Sequence, residues 1–292
     1  MRDTLLRRLR QAPAGRISPL ASFLLLLPLI VLLAGVFFFP LTKLLANSLW
    51  DPEFTLGHYA RLVTEPLYVK IFGRTLWIAL IVSLFALLLG YPVALVMARL
   101  RGWRANLVAA CVLIPLWTSV LVRSYAWVVL LQRNGLINSW LQGLGLTDQP
   151  LQMIYTEGAV LLAMTHVLLP FMVLPIYSAL RNISPDLSKA AANLGAGSWR
   201  TFAHVILPLS LPGVIAGVLM VFILSLGFYI TPALVGGPRT LMFATLIGQQ
   251  MTELLNWQFA SALSMVLMLV TLALVVGFRR TLKLDRVASH GR

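Results

Sequence analysis

The sequence predicts an all-α membrane protein with six transmembrane helices. Hydrophobic residues make up 59% of the chain and charged residues 11%, against roughly 25% charged in a soluble domain. The apolar residues gather into six runs, each close to the roughly 20 residues that one helical crossing needs. The basic residues stand at the ends of those runs. A formal net charge of +14 would suit nucleic acid if it formed one patch with interleaved aromatics. Spread as it is, it reads as membrane orientation, and no nucleic-acid partner is expected.

Residues 1–17 carry Arg2, Arg7, Arg8, Arg10 and Arg16 with Leu5, Leu6 and Leu9 between them. This N-terminal segment suits either a short helix on an anionic inner leaflet or a basic tail. The first span, 22–39, is too long for a signal-peptide core, and no small-residue cleavage site follows it, so it is expected to be retained. The other five are 75–98, 107–131, 159–177, 212–234 and 259–278. A single domain then covers 18–278 with a tail at 279–292, and no repeat divides it.

Six crossings put both termini on one side. That side holds sixteen Lys and Arg, including Arg99, Arg101, Arg104, Arg181, Lys189 and Arg200, whereas the other holds six together with six of the nine acids. The positive-inside asymmetry makes both termini cytoplasmic. The outer segments, 44–74, 132–158 and 235–258, contain amphipathic pieces such as LINSWLQGLG but no recognisable folded domain. Cys111 is the single cysteine and lies in an apolar run, so no disulfide can form within the chain, and a packed small hydrophobe is expected. No metal site is expected, since the four histidines are scattered.

Between the fourth and fifth spans stands a polar cytoplasmic stretch, 184–208. Ser184 can cap a helix, Pro185 fits its first position and Asp186 suits the positive end of the dipole. Leu187, Ala190, Ala191 and Leu194 recur at helical spacing, and Gly195 can take the left-handed conformation that ends the helix. Ser198 is then expected to cap a second short helix, with Trp199, Phe202, Ala203 and Ile206 on one face and Pro208 as its stop. Each is shorter than the roughly 12–15 residues that an isolated helix needs, so the rest of the chain or a partner must hold them.

This stretch resembles the EAA loop of the membrane subunits of binding-protein-dependent ABC importers. Ala190, Ala191, Gly195, Ile206, Leu207 and Pro208 match its pattern, while Lys189 fills the position of the usual Glu. FTLGHYARLV, WTSVLVRSYAWVVLLQRNGLIN and GFYITPALVGGP look like the spermidine/putrescine-type permease family. The resemblance implies a type I ABC importer permease fold in a bacterial inner membrane, with 184–208 as coupling helices seated in a groove of a cytoplasmic ATPase dimer. It further implies a second permease subunit, a different chain, and a periplasmic substrate-binding protein. Leu187, Lys189, Ala190, Ala191, Leu194, Gly195, Trp199, Phe202, Ile206 and Pro208 are the implied coupling residues. The substrate implied is a polyamine; another small solute, such as an amino acid, an opine or a metal complex, is the alternative.

Arg123 is the sharpest signal inside a span, because a membrane arginine is costly and usually faces the bundle interior or a watery cavity. It reads as a pathway or gate residue, as a partner for backbone carbonyls, or as a side chain snorkelling to the interface. No acid stands well inside a span. A cationic substrate would then be guided by aromatic faces and polar groups, with Trp117, Tyr125, Trp127, Tyr229 and Thr231 as candidates, although interface anchoring accounts for aromatics too. Pro170, Pro175 and Pro232 kink helices, and His166 reads as a hydrogen-bonded interior residue. The chain has no G-x-x-x-x-G-K-[ST] loop, so ATP is expected on another chain and no cofactor on this one. No catalytic residue is expected: H-E-x-x-H and G-x-S-x-G are absent, which counts against a membrane-embedded enzyme. An ion-driven secondary transporter would want intramembrane acids or broken helices in paired halves.

Overall fold

The computed structural model describes residues 19–281, with side chains over 22–278. The expectations for residues 1–17 and for the tail beyond 281 lie outside the described residues. Helix α1 (Pro19–Leu33) passes through a π turn (Ala34–Phe38) into α2 (Phe39–Leu49). A minimal hairpin, β1 (Trp50–Asp51) with β2 (Glu53–Phe54), leads to α3 (Gly57–Thr64) and the long α4 (Pro66–Arg99). Then come α5 (Trp103–Trp117), α6 (Val120–Leu131), α7 (Leu136–Gly143) and α8 (Glu157–Arg181). Two short helices, α9 (Pro185–Asn193) and α10 (Ser198–Thr201), precede a π turn (Phe202–Ile206) and α11 (Leu207–Leu226). The chain closes with α12 (Ile230–Val235), a 3-10 turn (Pro238–Thr240), α13 (Phe243–Thr252) and α14 (Trp257–Thr281). Among the described residues five helical stretches are long and apolar enough to cross a membrane, or six if the bent α5 to α7 pair counts as one span.

The core is a three-helix contact of α4, α8 and α11. Ile78, Val82 and Ala86 meet Met164, Leu168, Met172 and Ile176, with Val221 closing the cluster. Lipid is as apolar as leucine, so such helices gain from close backbone approach rather than from leaving water. Gly213 permits that approach: a Cβ there would stand 2.5 Å from Ala179 Cβ and 2.6 Å from the Pro175 carbonyl oxygen. A second cluster, at the hairpin end of the bundle, joins Leu62, Tyr68, Ile71, Phe243, Phe259 and Leu263. The Arg61 guanidinium covers it, 4.9 Å from the Phe259 ring centre. Its Nε donates to Glu65 Oε1 at 2.8 Å, and that bond holds the Arg61 pKa above its ordinary value.

The structure corrects several expectations. The first span extends past residue 39 to Leu49, and the second begins at Pro66 instead of 75. A helix satisfies its backbone groups internally in lipid or in water, so Lys43, Lys70 and Arg74 do not end it. The third apolar run is not one helix over 107–131. It breaks at Thr118–Ser119 with a bend of 100°, where Thr118 is extended and its Oγ1 donates to the Pro115 carbonyl at 2.8 Å. The fifth run is helical only to Leu226, and Gly227–Tyr229 separate it from α12.

Pro208 does not stop a helix. The Leu207 N–H reaches back five residues to the Phe202 carbonyl, and this widened turn accommodates a proline ring that the ordinary turn would exclude. Residues Ser198–Leu226 therefore form one 29-residue helical stretch. Ser198 is its first helical residue and not its cap, which is Gly197. Cys111 is exposed on α5 instead of packed, because an apolar run does not distinguish a lipid-facing side from a buried one.

Candidate functional site

The α9 end of the molecule carries an uncovered apolar surface. Ser184 Oγ accepts from the Asp186 N–H at 3.3 Å and opens α9 with Pro185 behind it. At the other end Gly195 has φ +82, the left-handed region that an L side chain resists. The Ala196 N–H then bonds the Ala191 carbonyl at 3.0 Å and the Gly195 N–H the Ala192 carbonyl at 2.9 Å, the paired bonds of a Schellman ending. Lys189 Nζ lies 2.9 Å from Asp186 Oδ1 in a solvent-exposed pair.

Leu194 and Trp199 are 88% and 76% exposed, and Leu187 is exposed beside them. Ala190 is exposed and Ala191 half-buried. Phe202 and Ile206 turn inward: the Phe202 ring meets Tyr91 edge-on at 5.9 Å, and Ile206 packs on the three-helix core. Pro208 sits exposed within the rod. The Tyr91 hydroxyl also shares a 2.9 Å hydrogen bond with Ser210 Oγ, so α4 grips the base of the rod at two points. Sequence reasoning missed Tyr91 and Ser210. A tyrosine in an apolar helix signals only that a hydroxyl partner is needed, not which one.

The second group of candidates surrounds α6. Arg123 is 9% exposed, and its Nη1 donates to the Val167 carbonyl on α8 at 3.4 Å. Its Nε has no hydrogen-bond partner among the described residues. The guanidinium points into the bundle, so it does not snorkel. Next to it, Ser124 Oγ and Thr231 Oγ1 lie 2.8 Å apart, joining α6 to α12 in a buried contact. Trp127 Nε1 donates to His166 Nδ1 at 3.2 Å, which makes Nδ1 the acceptor of a neutral imidazole. The histidine is thus tied to α6 from the middle of α8, hydrogen-bonded as expected but exposed and not interior. Trp117, 88% exposed, and Tyr125 face away from these contacts. Tyr229, just before α12, is half exposed and leans on Gly248. The structure therefore gives Arg123, Trp127 and Thr231 three separate contacts along α6, two of them with α8 and one with α12, and leaves Trp117 and Tyr125 outside these contacts. His166 and Ser124 are the partners that sequence reasoning did not place there. Among the described residues no group of three His, Cys, Asp or Glu stands close enough to hold a metal.

Comparison with known proteins matches residues 90–283 to the family of the binding-protein-dependent transport system inner membrane component. The spermidine/putrescine transport system permease protein PotB of Escherichia coli K12 is 36% identical over 234 residues, 80% of this chain and 85% of that protein. PotB of Haemophilus influenzae is 34% identical over 262 residues, 90% of each. The molybdenum transport system permease protein ModB of Mycobacterium bovis is 33% identical over 196 residues, 67% of this chain and 72% of that one. Among solved structures, a bacterial ABC transporter involved in import of the acidic polysaccharide alginate has a chain with TM-score 0.74 at 18% identity, covering 89% of this chain and 94% of that one. The chain belongs to the binding-protein-dependent transport system inner membrane components and is a permease subunit of an ABC importer.

Proposed function

We propose that this permease carries polyamines of the spermidine and putrescine class across a bacterial inner membrane, with the α9 end and both termini in the cytoplasm. The single observation that carries the coupling is the uncovered face of Leu187, Leu194 and Trp199 on a hairpin whose base is gripped by α4. Large apolar residues left in water at the basic end of the bundle suit a groove on a cytoplasmic ATPase dimer, which binds the ATP. Lys189, Ala190, Ala191, Gly195, Phe202, Ile206 and Pro208 shape and support that face. A second permease subunit, a different chain, completes the path, and a periplasmic binding protein delivers substrate at the hairpin end. Arg123 and Thr231 hold the broken third span against α8 and α12. Trp117 and Tyr125, on the outward side of that span, face lipid or the second permease.

The substrate class rests on the PotB relatives. Another small solute is the second reading, favoured by the ModB relative and by the lack of a carboxylate well inside any described span. The test is uptake of labelled spermidine and putrescine by proteoliposomes holding the whole complex with its binding protein. ATP-dependent, vanadate-sensitive uptake is expected. ATP-dependent uptake of a different solute with none of either polyamine would replace the substrate class, and uptake without ATP would replace the importer by an ion-driven carrier.

A further inference from the structure

A cavity of about 370 Å³ opens between α12 and α13 at the hairpin end. Thr245, Gln249 and Glu253 line it from one side. Their i, i+4, i+8 spacing puts them on a single face of α13 and its C-cap. Tyr229 lines it too, and residues 236–238 complete the wall. Tyr229 owes its position to Gly248: a Cβ there would collide with ring atom Cε2 and stand 3.2 Å from the hydroxyl oxygen. Any larger residue at 248 would push the ring out of place.

Of the six acids at this end, Glu253 alone lines the cavity, and two of the others are held in ion pairs. Asp51 lies 3.2 Å from His58, and Glu65 lies 2.8 Å from Arg61. Glu253 forms no ion pair among the described residues, and Arg239, on the neighbouring turn, is not part of the cavity wall. The cavity therefore presents an uncompensated carboxylate, an amide oxygen, a phenol and an aromatic face. That set suits an alkylammonium group, which offers three N–H donors and one positive charge. An anion would meet repulsion from Glu253, and a neutral solute could hydrogen-bond to it but would form no ion pair.

We propose that this cavity is a recognition subsite for one ammonium end of the transported polyamine, with Glu253 as its counter-ion and Tyr229 as its aromatic wall. The proposal rests on the polyamine reading. It is tested by the KM of spermidine uptake in the complete reconstituted complex. Glu253→Gln raises KM about fivefold, the scale of one partly exposed charge pair. Glu253→Asp stays within about twofold of wild type, and Tyr229→Leu and Gly248→Val each raise KM, since both remove the aromatic wall. Glu53→Gln, on β2 outside the cavity, leaves KM unchanged. A wild-type KM in Glu253→Gln overturns the subsite and leaves the polyamine reading standing. If that variant fails to assemble, a wild-type KM in Tyr229→Leu overturns it instead. Absence of polyamine uptake by the wild-type complex removes the reading itself, and the subsite with it.

Discussion

Arg123 and its neighbours show how a few polar side chains fix a broken helix inside an apolar bundle. An arginine at mid-span costs about 2.5–3.5 kcal/mol on insertion scales, and here it is turned onto the Val167 carbonyl of α8. Ser124 and Thr231 add a buried hydroxyl pair. Removing one member leaves the other without its side-chain partner, so Ser124→Ala and Thr231→Val should each destabilise by about 0.6–1.7 kcal/mol, the range for such bonds in membrane bundles. The double variant should cost less than the sum of the two. Thermal denaturation of the purified complex reads this, and strict additivity would mean that the contact contributes nothing. The arginine was legible in the sequence as a charge in an apolar run. Its partner was not, because Val167 lies 44 residues away, and spacing along one helix carries no information about the helix beside it. Tyr91 and Ser210, 119 residues apart, and Trp127 and His166, 39 apart, were hidden for the same reason.

The α9–α10 hairpin is the element on which periodicity succeeded best. Serine cap, first-turn proline and left-handed Gly195 all stand where local chemistry put them, since each depends only on residues within one turn. Gly195→Pro, or a bulky charge as in Ala191→Glu, should abolish uptake and the stimulation of ATP hydrolysis by loaded binding protein. Normal stimulation in either variant would sink the coupling role. Lys189→Glu places an acid at the position usual for the resembled loop and breaks only an exposed pair with Asp186. It should change stability by less than about 0.5 kcal/mol, so a large shift in the thermal midpoint would show that Lys189 is held by more than that pair. Where periodicity failed, at Pro208, the cause is also local. A proline forbids the ordinary turn but not the wider one, and sequence spacing counts both as the same residues.

At the scale of the molecule, hydropathy located the apolar runs and charge asymmetry gave an orientation, because both are sums over many residues. The bend of 100° in the third run escaped, since an apolar composition is the same on both sides of a break. Orientation can be checked with the single cysteine removed. In a Cys111→Ser background, Asp148→Cys should react with an impermeant maleimide in intact cells, and Gly197→Cys only in inverted vesicles. The reverse pattern would invert the topology. A mechanical consequence follows from the continuous stretch Ser198–Leu226. Gly213, pressed against Ala179 and Pro175, stands near its middle, with about 20 Å of helix on either side at 1.5 Å per residue. Tyr91 of α4 holds the same rod at Phe202 and Ser210, and Val221 is buried in the core beyond Gly213, so the stretch is clamped along its length and not at one point. A push on Trp199 would therefore be passed to α4 and α8 together, as to a single body, and not taken up by the rod alone.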